Sequence, residues 1–222
     1  MNQGAKTIQD QIVEVCKSLH QKNMLAAADG NVSVRISDDE IWVTPSGVMK
    51  ADMSIHEMAR VNINGDVLQG QPSSELAMHL EVYKCSPLAK AVIHAHPPHA
   101  IAWSIAFPED QELPVGAMSE LILACGQIPI IPFAQPGTIQ MAENLRPFLP
   151  KNRVMILARH GGLCWGEDLA EAHRGMERLE HSAQILTIAQ SLGGVTLLSE
   201  AQINDLVKLR QSLNEKMGEK VL

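Results

Sequence analysis

The run Ala91-Val92-Ile93-His94-Ala95-His96, stopped by Pro97-Pro98, constrains this chain more than any other feature. An apolar stretch of that length, cut off by two prolines, reads as a strand buried within a sheet, and such a strand needs covering layers. Elsewhere the chain offers both strands and helices. Val32-Ser33-Val34-Arg35-Ile36 alternates, breaks at Ser37-Asp38-Asp39-Glu40 and resumes as Ile41-Trp42-Val43-Thr44, which is the pattern of a hairpin. Val61 and Ile63 lead into Asn64-Gly65, a strong turn dipeptide, with Val67-Leu68 beyond it. The first third is therefore expected to be antiparallel.

Helical spacing marks Ile8, Ile12, Val15, Cys16 and Leu19 within the segment Met1 to Leu25. Pro72-Ser73-Ser74 offers a cap for a helix with Leu76, Leu80 and Tyr83 on one face, ending near Pro87. Further helices are expected over His99 to Ala106, Ser119 to Cys125 and after Thr138, with strands at Ile128 to Ile131, Arg153 to Ala158 and Leu163 to Trp165. Asp168 caps a long helix closed by Gly193-Gly194; Val195 to Leu198 can form a last strand, and a charged helix starts at Glu200. With no repeat, low-complexity tract or linker, the expectation is one α/β domain over residues 1–222, a mixed and mostly antiparallel sheet between helices.

At 222 residues the chain needs neither disulfides nor a structural metal for stability, so a bound metal would be functional. Its net charge of -7 speaks against a nucleic-acid partner, because phosphate-backbone affinity comes from dense Lys and Arg. No apolar run approaches the roughly 20 residues needed to span a bilayer, and the start lacks the pattern of a signal peptide, so no membrane association is expected. Cys16, Cys85, Cys125 and Cys164 are far apart and form no Cys-x-x-Cys pair, which fits a reduced, cytoplasmic protein.

Residues two apart in a strand project from the same face, so His94 and His96 would aim their imidazoles at one point. That makes a metal edge, or else a polar pair at a strand end. His160 follows another apolar strand and precedes Gly161-Gly162; joined to the first two it gives a three-histidine site with an open position, as catalytic zinc requires. Taken alone, it is a solvent-exposed or backbone-bonded histidine. His99 lies past two prolines and is expected to face away, and His20, His56, His79, His173 and His181 sit in ordinary helical or loop contexts. Glu75 directly follows Ser73-Ser74 at a helix start, where it either complements the helix dipole or moves protons beside an anion site formed by the hydroxyls and free N–H groups. Asp29-Gly30-Asn31-Val32-Ser33 and Thr44-Pro45-Ser46-Gly47 are turns that can also cradle an oxyanion.

Taken in order, Gly30-Asn31-Val32-Ser33, Thr44-Pro45-Ser46-Gly47, Ser73-Ser74-Glu75, His94-Ala95-His96-Pro97-Pro98-His99 and His160-Gly161-Gly162-Leu163 resemble the class II aldolase/adducin superfamily, on its fuculose-1-phosphate aldolase side. The resemblance runs over roughly residues 8 to 192. It implies a three-layer α/β/α sandwich assembled as a homotetramer, with sites at subunit interfaces and a divalent metal, zinc or alternatively manganese, cobalt or iron. It also makes His94, His96 and His160 the metal ligands, and Glu75 the acid/base that stands at the metal when substrate is absent. Gly30, Asn31, Ser46, Gly47, Ser73 and Ser74 become the phosphate cradle. The implied reaction is retro-aldol cleavage of a small ketose 1-phosphate to dihydroxyacetone phosphate and an aldehyde, through a metal-stabilised enediolate.

One position departs from that pattern. Where the aldolase resemblance calls for a tyrosine, supplied by the neighbouring subunit, that protonates the substrate alkoxide, this chain has Met118, which has no proton to give. Tyr83, the one tyrosine, lies two turns down the Glu75 helix and is expected to pack, and Gln202 to Leu222 holds no tyrosine. Glu120 is the candidate replacement, or simply a charge at a helix start. The departure keeps open a decarboxylase or dehydratase of a related sugar acid or sugar phosphate. A 4-epimerase is disfavoured because those relatives carry Asp where this chain has Glu75, and a non-catalytic adducin-like module has no need of the histidines and the cradle.

Overall fold

The computed structural model describes residues 6–218. Helix α1 (Ile8–Gln21) is opened by Thr7, whose side chain accepts from the Asp10 N–H while the Asp10 carboxylate accepts from the Thr7 N–H. This reciprocal cap satisfies donors that a helix start leaves open. Met1 to Ala5, the front of the first expected segment, lie outside the described residues. The chain then runs through β1 (Asn31–Arg35), β2 (Glu40–Val43), β3 (Ala59–Asn62), β4 (Val67–Gln69), α2 (Leu76–Cys85), β5 (Ala91–Ala95) and α3 (Pro98–Ala106). It continues with α4 (Ser119–Ala124), β6 (Ile130–Ile131), α5 (Ile139–Leu145), β7 (Val154–Leu157), β8 (Gly161–Gly166), α6 (Leu169–Ser191) and α7 (Glu200–Met217).

The strands form one sheet in the order β4-β3-β2-β1-β5-β8-β7-β6. Both expected hairpins are present and antiparallel, and β6 with β7 is the one parallel pair in this sheet. Alternation along the central strands separates two cores. Val32, Val34, Ile93, Ala95, Val154, Ile156 and Cys164 pack with Ile12, Cys16 and Leu19 of α1, Trp103 of α3 and Met176, Leu179 and Ala183 of α6. Val92, Met155, Leu157, Leu163 and Trp165 pack on the other face with Met78 and Val82 of α2 and Met141 and Leu145 of α5. Each large apolar side chain so buried contributes about 1.5–3 kcal/mol. The outcome is the α/β/α sandwich, with β5 at its centre because both its faces are apolar.

Two expected strands differ. Ile128 bonds through its carbonyl to the Leu113 N–H at 2.9 Å, so β6 shortens to Ile130–Ile131. Val195 to Leu198 pairs with no strand; the Leu198 N–H donates to the Gly116 carbonyl at 3.0 Å and Ser199 then caps α7. A short apolar run has no length signal that separates a strand from a connecting segment. Among the described residues no helix is long and apolar enough to cross a membrane.

Candidate active site

Strand β5 places the first histidine. Flanked by β1 and β8, with Asn31 and Leu163 as its register partners, His94 points to the α2 face and is fully buried. Its Nδ1–H donates to the Gly162 carbonyl at 2.9 Å, which leaves Nε2 as a lone pair. His96 lies just past the strand end, where its N–H donates to the Met24 carbonyl at 2.8 Å. His160 occupies the tight turn between β7 and β8, held by its N–H on the Leu157 carbonyl at 3.0 Å. Gly161 lets the three meet: a Cβ there would stand 2.7 Å from His94 Cε1 and 3.1 Å from His96 Cδ2.

Glu75 is the N-cap residue of α2, yet its side chain makes no capping bond. It turns instead to the rings, with Oε2 at 3.3 Å from His94 Nε2 and Oε1 at 3.2 Å from His160 Nε2, while Asn31 Nδ2 donates to Oε2 at 3.0 Å. His94 and His96 bring their Nε2 atoms to 3.2 Å, and the ligand atoms of all three histidines lie within 4.8 Å of one another. The opposite nitrogen of His96 faces Asp29 Oδ2 at 3.4 Å. A ring whose Nδ1–H serves a carbonyl or carboxylate presents a bare Nε2. Facing lone pairs are repulsive unless a cation stands between them, and such outer partners are the usual means of aiming metal-ligating imidazoles. Glu75 Oε1 and His160 Nδ1 are also buried without hydrogen-bond partners. Three imidazoles and a carboxylate form a donor set that can hold a divalent metal ion.

Charge supports the same reading of the donors. Burial and the neighbouring His94 push His96 down to about 4, so its ring is neutral and free to ligate near pH 7. Burial alone would raise Glu75, but contact with His160 and His94 outweighs it and holds the carboxyl well below the usual range. The group is a carboxylate at neutral pH.

The turns expected to bind an oxyanion meet these residues in one cavity of about 430 Å³, lined by Gly30, Asn31, Ser46, Gly47, Ser73 and Ser74 and by Glu75, His96 and His160. Backbone bonds join two of the turns: the Ser46 N–H donates to the Gln71 carbonyl at 3.1 Å and the Ser73 N–H to the Thr44 carbonyl at 3.2 Å. Gly47 has a φ of +70°, and the space a Cβ would take is open. A larger hollow of about 660 Å³ along α6, lined by Lys22, Arg174 and Glu177 among others, contains none of the expected site residues.

Two residues of this cavity escape a reading of the sequence. Lys50 is buried, its ammonium donating to the carbonyls of Ala28 at 2.8 Å and Val48 at 2.7 Å, and among the described residues it is the one Lys or Arg lining the cavity. Burial lowers its pKa. Asp29 stands at the head of a turn expected to cradle an oxyanion, and its contact with His96 is what the sequence does not report. The signal for Lys50 was its place three residues after Gly47, in a turn already suspected of holding an anion.

Glu120 lies elsewhere in this chain. It is exposed on α4, with its carboxylate accepting from the Ser119 hydroxyl at 3.0 Å, and it does not line the cavity. Met118 packs partly buried against the core under α3 and α6. Tyr83 is buried, as expected, with its hydroxyl 2.8 Å from Ser33 Oγ. His99 faces away, binding Glu180 Oε1 at 2.6 Å, and the same carboxylate caps α3 through the His99 and Ala100 N–H groups.

Comparison with known proteins gives a consistent result. Residues 10–187 match the family described as Class II Aldolase and Adducin N-terminal domain. A 3-oxo-tetronate 4-phosphate decarboxylase of Escherichia coli is 28% identical over 185 residues, covering 82% of this chain and 87% of the relative. An L-fuculose phosphate aldolase of Methanococcus maripaludis is 29% identical over 180 residues, covering 81% of this chain and 96% of the relative. The crystal structure of an L-fuculose-1-phosphate aldolase from Thermus thermophilus superposes with a TM-score of 0.74 at 29% identity, over 84% of this chain and 96% of the other.

Proposed function

The chain belongs to the class II aldolase and adducin family, and from that premise we propose that it is a divalent-metal-dependent carbon–carbon lyase acting on a small ketose 1-phosphate. The products would be dihydroxyacetone phosphate and an aldehyde, released by retro-aldol cleavage. One observation carries this reading: His94, His96 and His160 cluster with Glu75, and three of these four line a cavity together with the hydroxyl, amide and glycine donors of the expected cradle and with Lys50.

His94, His96 and His160 would hold the ion, zinc in preference to manganese, cobalt or iron, with Glu75 as a further oxygen donor. When bound, a divalent cation supplies Lewis acidity to the carbonyl and neighbouring hydroxyl oxygens of a ketose. Gly30, Asn31, Ser46, Gly47, Ser73 and Ser74 grip the phosphate through backbone and side-chain donors, and Lys50 balances its charge. Glu75 is placed to handle the proton: in condensation it takes one from the carbon beside the carbonyl, and in cleavage its protonated carboxyl returns one to that carbon. Assembly as a homotetramer belongs to this reading. So does a cytoplasmic setting, which the four free cysteines support.

A second reading is favoured by Met118. Retro-aldol cleavage needs a group to manage the proton of the departing oxygen, and methionine at position 118, where the resemblance calls for the neighbouring subunit's tyrosine, cannot be that group. Loss of carbon dioxide from a 3-keto sugar-acid phosphate needs none. The two readings separate in one assay, in which metal-loaded and metal-stripped protein are offered ketose 1-phosphates and 3-keto sugar-acid phosphates in turn. Metal-dependent release of dihydroxyacetone phosphate is the expected result, and carbon dioxide release without it transfers the proposal to decarboxylation. Silence from both substrate sets defeats the lyase reading.

Lys50→Met tests the phosphate assignment in either case. A charge-assisted hydrogen bond contributes about 1.5–3 kcal/mol, so KM should rise about tenfold or more while kcat changes little. Unchanged KM would remove Lys50 from the binding wall.

A further inference from the structure

Beneath the first turn of α2, His79, Ser33 and Tyr83 form a line of buried polar groups that the proposed reaction does not use. His79 is fully buried, four residues after Glu75 and so on the same side of the helix. Its Nε2 is hydrogen-bonded to Asn31 Oδ1, its Nδ1 lies 2.6 Å from Ser33 Oγ, and Ser33 Oγ lies 2.8 Å from the Tyr83 hydroxyl. At the other end Asn31 Nδ2 donates to Glu75 Oε2.

The direction of every bond in this line follows from one fixed point. A carboxylate only accepts, so Asn31 must present its NH₂ to Glu75 and its carbonyl to His79. The carbonyl in turn requires an Nε2–H on His79. Burial and the nearby His94 depress His79 to about 3, so the ring is neutral and its Nδ1 is an acceptor. Ser33 then donates to Nδ1 and accepts from Tyr83. All the donors point toward Glu75, and bonds arranged head to tail in this way polarise and strengthen one another.

We propose that His79 is a positioning residue for Glu75, dictating through a one-way Tyr83–Ser33–His79–Asn31 chain that an amide N–H and not an amide carbonyl meets the carboxylate. Without the ring, Asn31 can turn over and set its oxygen against Glu75, two acceptors facing each other. The effect falls first on proton handling at Glu75, while five of the six cradle residues, Gly30, Ser46, Gly47, Ser73 and Ser74, take no part in the line. This inference rests on the lyase reading for its kinetic consequence only, since the direction of the chain is a property of the folded protein.

The test compares His79→Leu, which fills the space but bonds to neither partner, with His79→Gln, whose amide N–H can still reach Asn31. Solvent deuterium exchange into dihydroxyacetone phosphate, KM and metal content are followed for each. His79→Leu should lower the exchange rate about ten- to a hundredfold, the loss that goes with a hydrogen bond to a charged group, with metal content near the parental value and KM moved far less than the exchange rate. His79→Gln should recover most of that loss. Should His79→Leu fail to fold, Ser33→Ala removes only the hydroxyl feeding Nδ1 and should slow exchange several-fold. Nitrogen NMR of the unaltered protein gives a readout without turnover, and a neutral Nε2–H ring is expected. Equal damage from Leu and Gln, an undiminished rate in His79→Leu, or an Nδ1–H ring would each overturn the proposal. If the unaltered protein exchanges no deuterium at all, the lyase reading fails, and the NMR tautomer then decides the chain by itself.

Discussion

His96→Ala should copurify with almost no divalent metal and lose at least about a thousandfold in turnover, the scale on which a catalytic constellation fails when one member is removed. His96 is the least buried of the three histidines, just past the end of β5, so the substitution opens no cavity in the core. Its loss also leaves Asp29 without its partner and the remaining rings without a third donor. Metal content by elemental analysis and lyase rate should fall together, while the melting profile of the metal-free protein should match that of metal-free parent. Full metal content with full rate in His96→Ala would mean that the three-histidine cluster is not the metal centre.

Glu75→Gln should give the opposite pairing. The amide keeps the size of the side chain and one oxygen, so three imidazoles still hold the ion, but a group that exchanges protons is gone. General acid–base catalysis by a positioned side chain typically supplies about 10²–10⁴-fold, and a loss of that order in kcat with metal retained is the expected result. The substitution also reports on electrostatics. The Glu75 carboxyl is held low in pKa by His160 and His94 more than burial raises it, so folding is favoured by its ionised form. By linkage, that stabilisation is complete above the unfolded carboxylate pKa and is lost as pH falls toward the depressed folded value. Glu75→Gln should therefore flatten the acid side of the stability profile of metal-free protein. An unchanged kcat would remove Glu75 from the proton-transfer step.

Much of this was legible in the residues themselves. Alternation in Val32-Ser33-Val34 and the apolar run at 91–95 placed β1 and β5, and with them the fold, because sheet periodicity is local and survives without any knowledge of partners. The expected donors His94, His96, His160 and Glu75 stand together, as do the six residues of the expected cradle. What stayed hidden depends on contacts between distant segments. Lys50 matters because Ala28 and Val48 draw its ammonium inward to the cavity, and His79 because β1 supplies Asn31 and Ser33 beneath α2. No spacing rule reports either. Glu120 became a candidate through its place two residues after Met118; within this chain α4 carries it away from the cavity, and the role in question is one that the resemblance assigns to a neighbouring subunit.

The donors of the proposed metal site come from three separated stretches, around 75, 94–96 and 160, and β5 meets β8 only through long-range pairing. Such a cluster cannot exist in a partly formed chain. Closing loops of that length is slow and entropically costly, so the ion arrives after the sheet has assembled and cannot act as a seed for it. Because it binds the native state alone, its free energy is added to the whole sheet and not to one loop. It would therefore act as a brake on unfolding while leaving the rate of folding almost untouched. In that sense the catalytic centre would also serve as the latch that keeps β5, the turn into β8 and the start of α2 from separating.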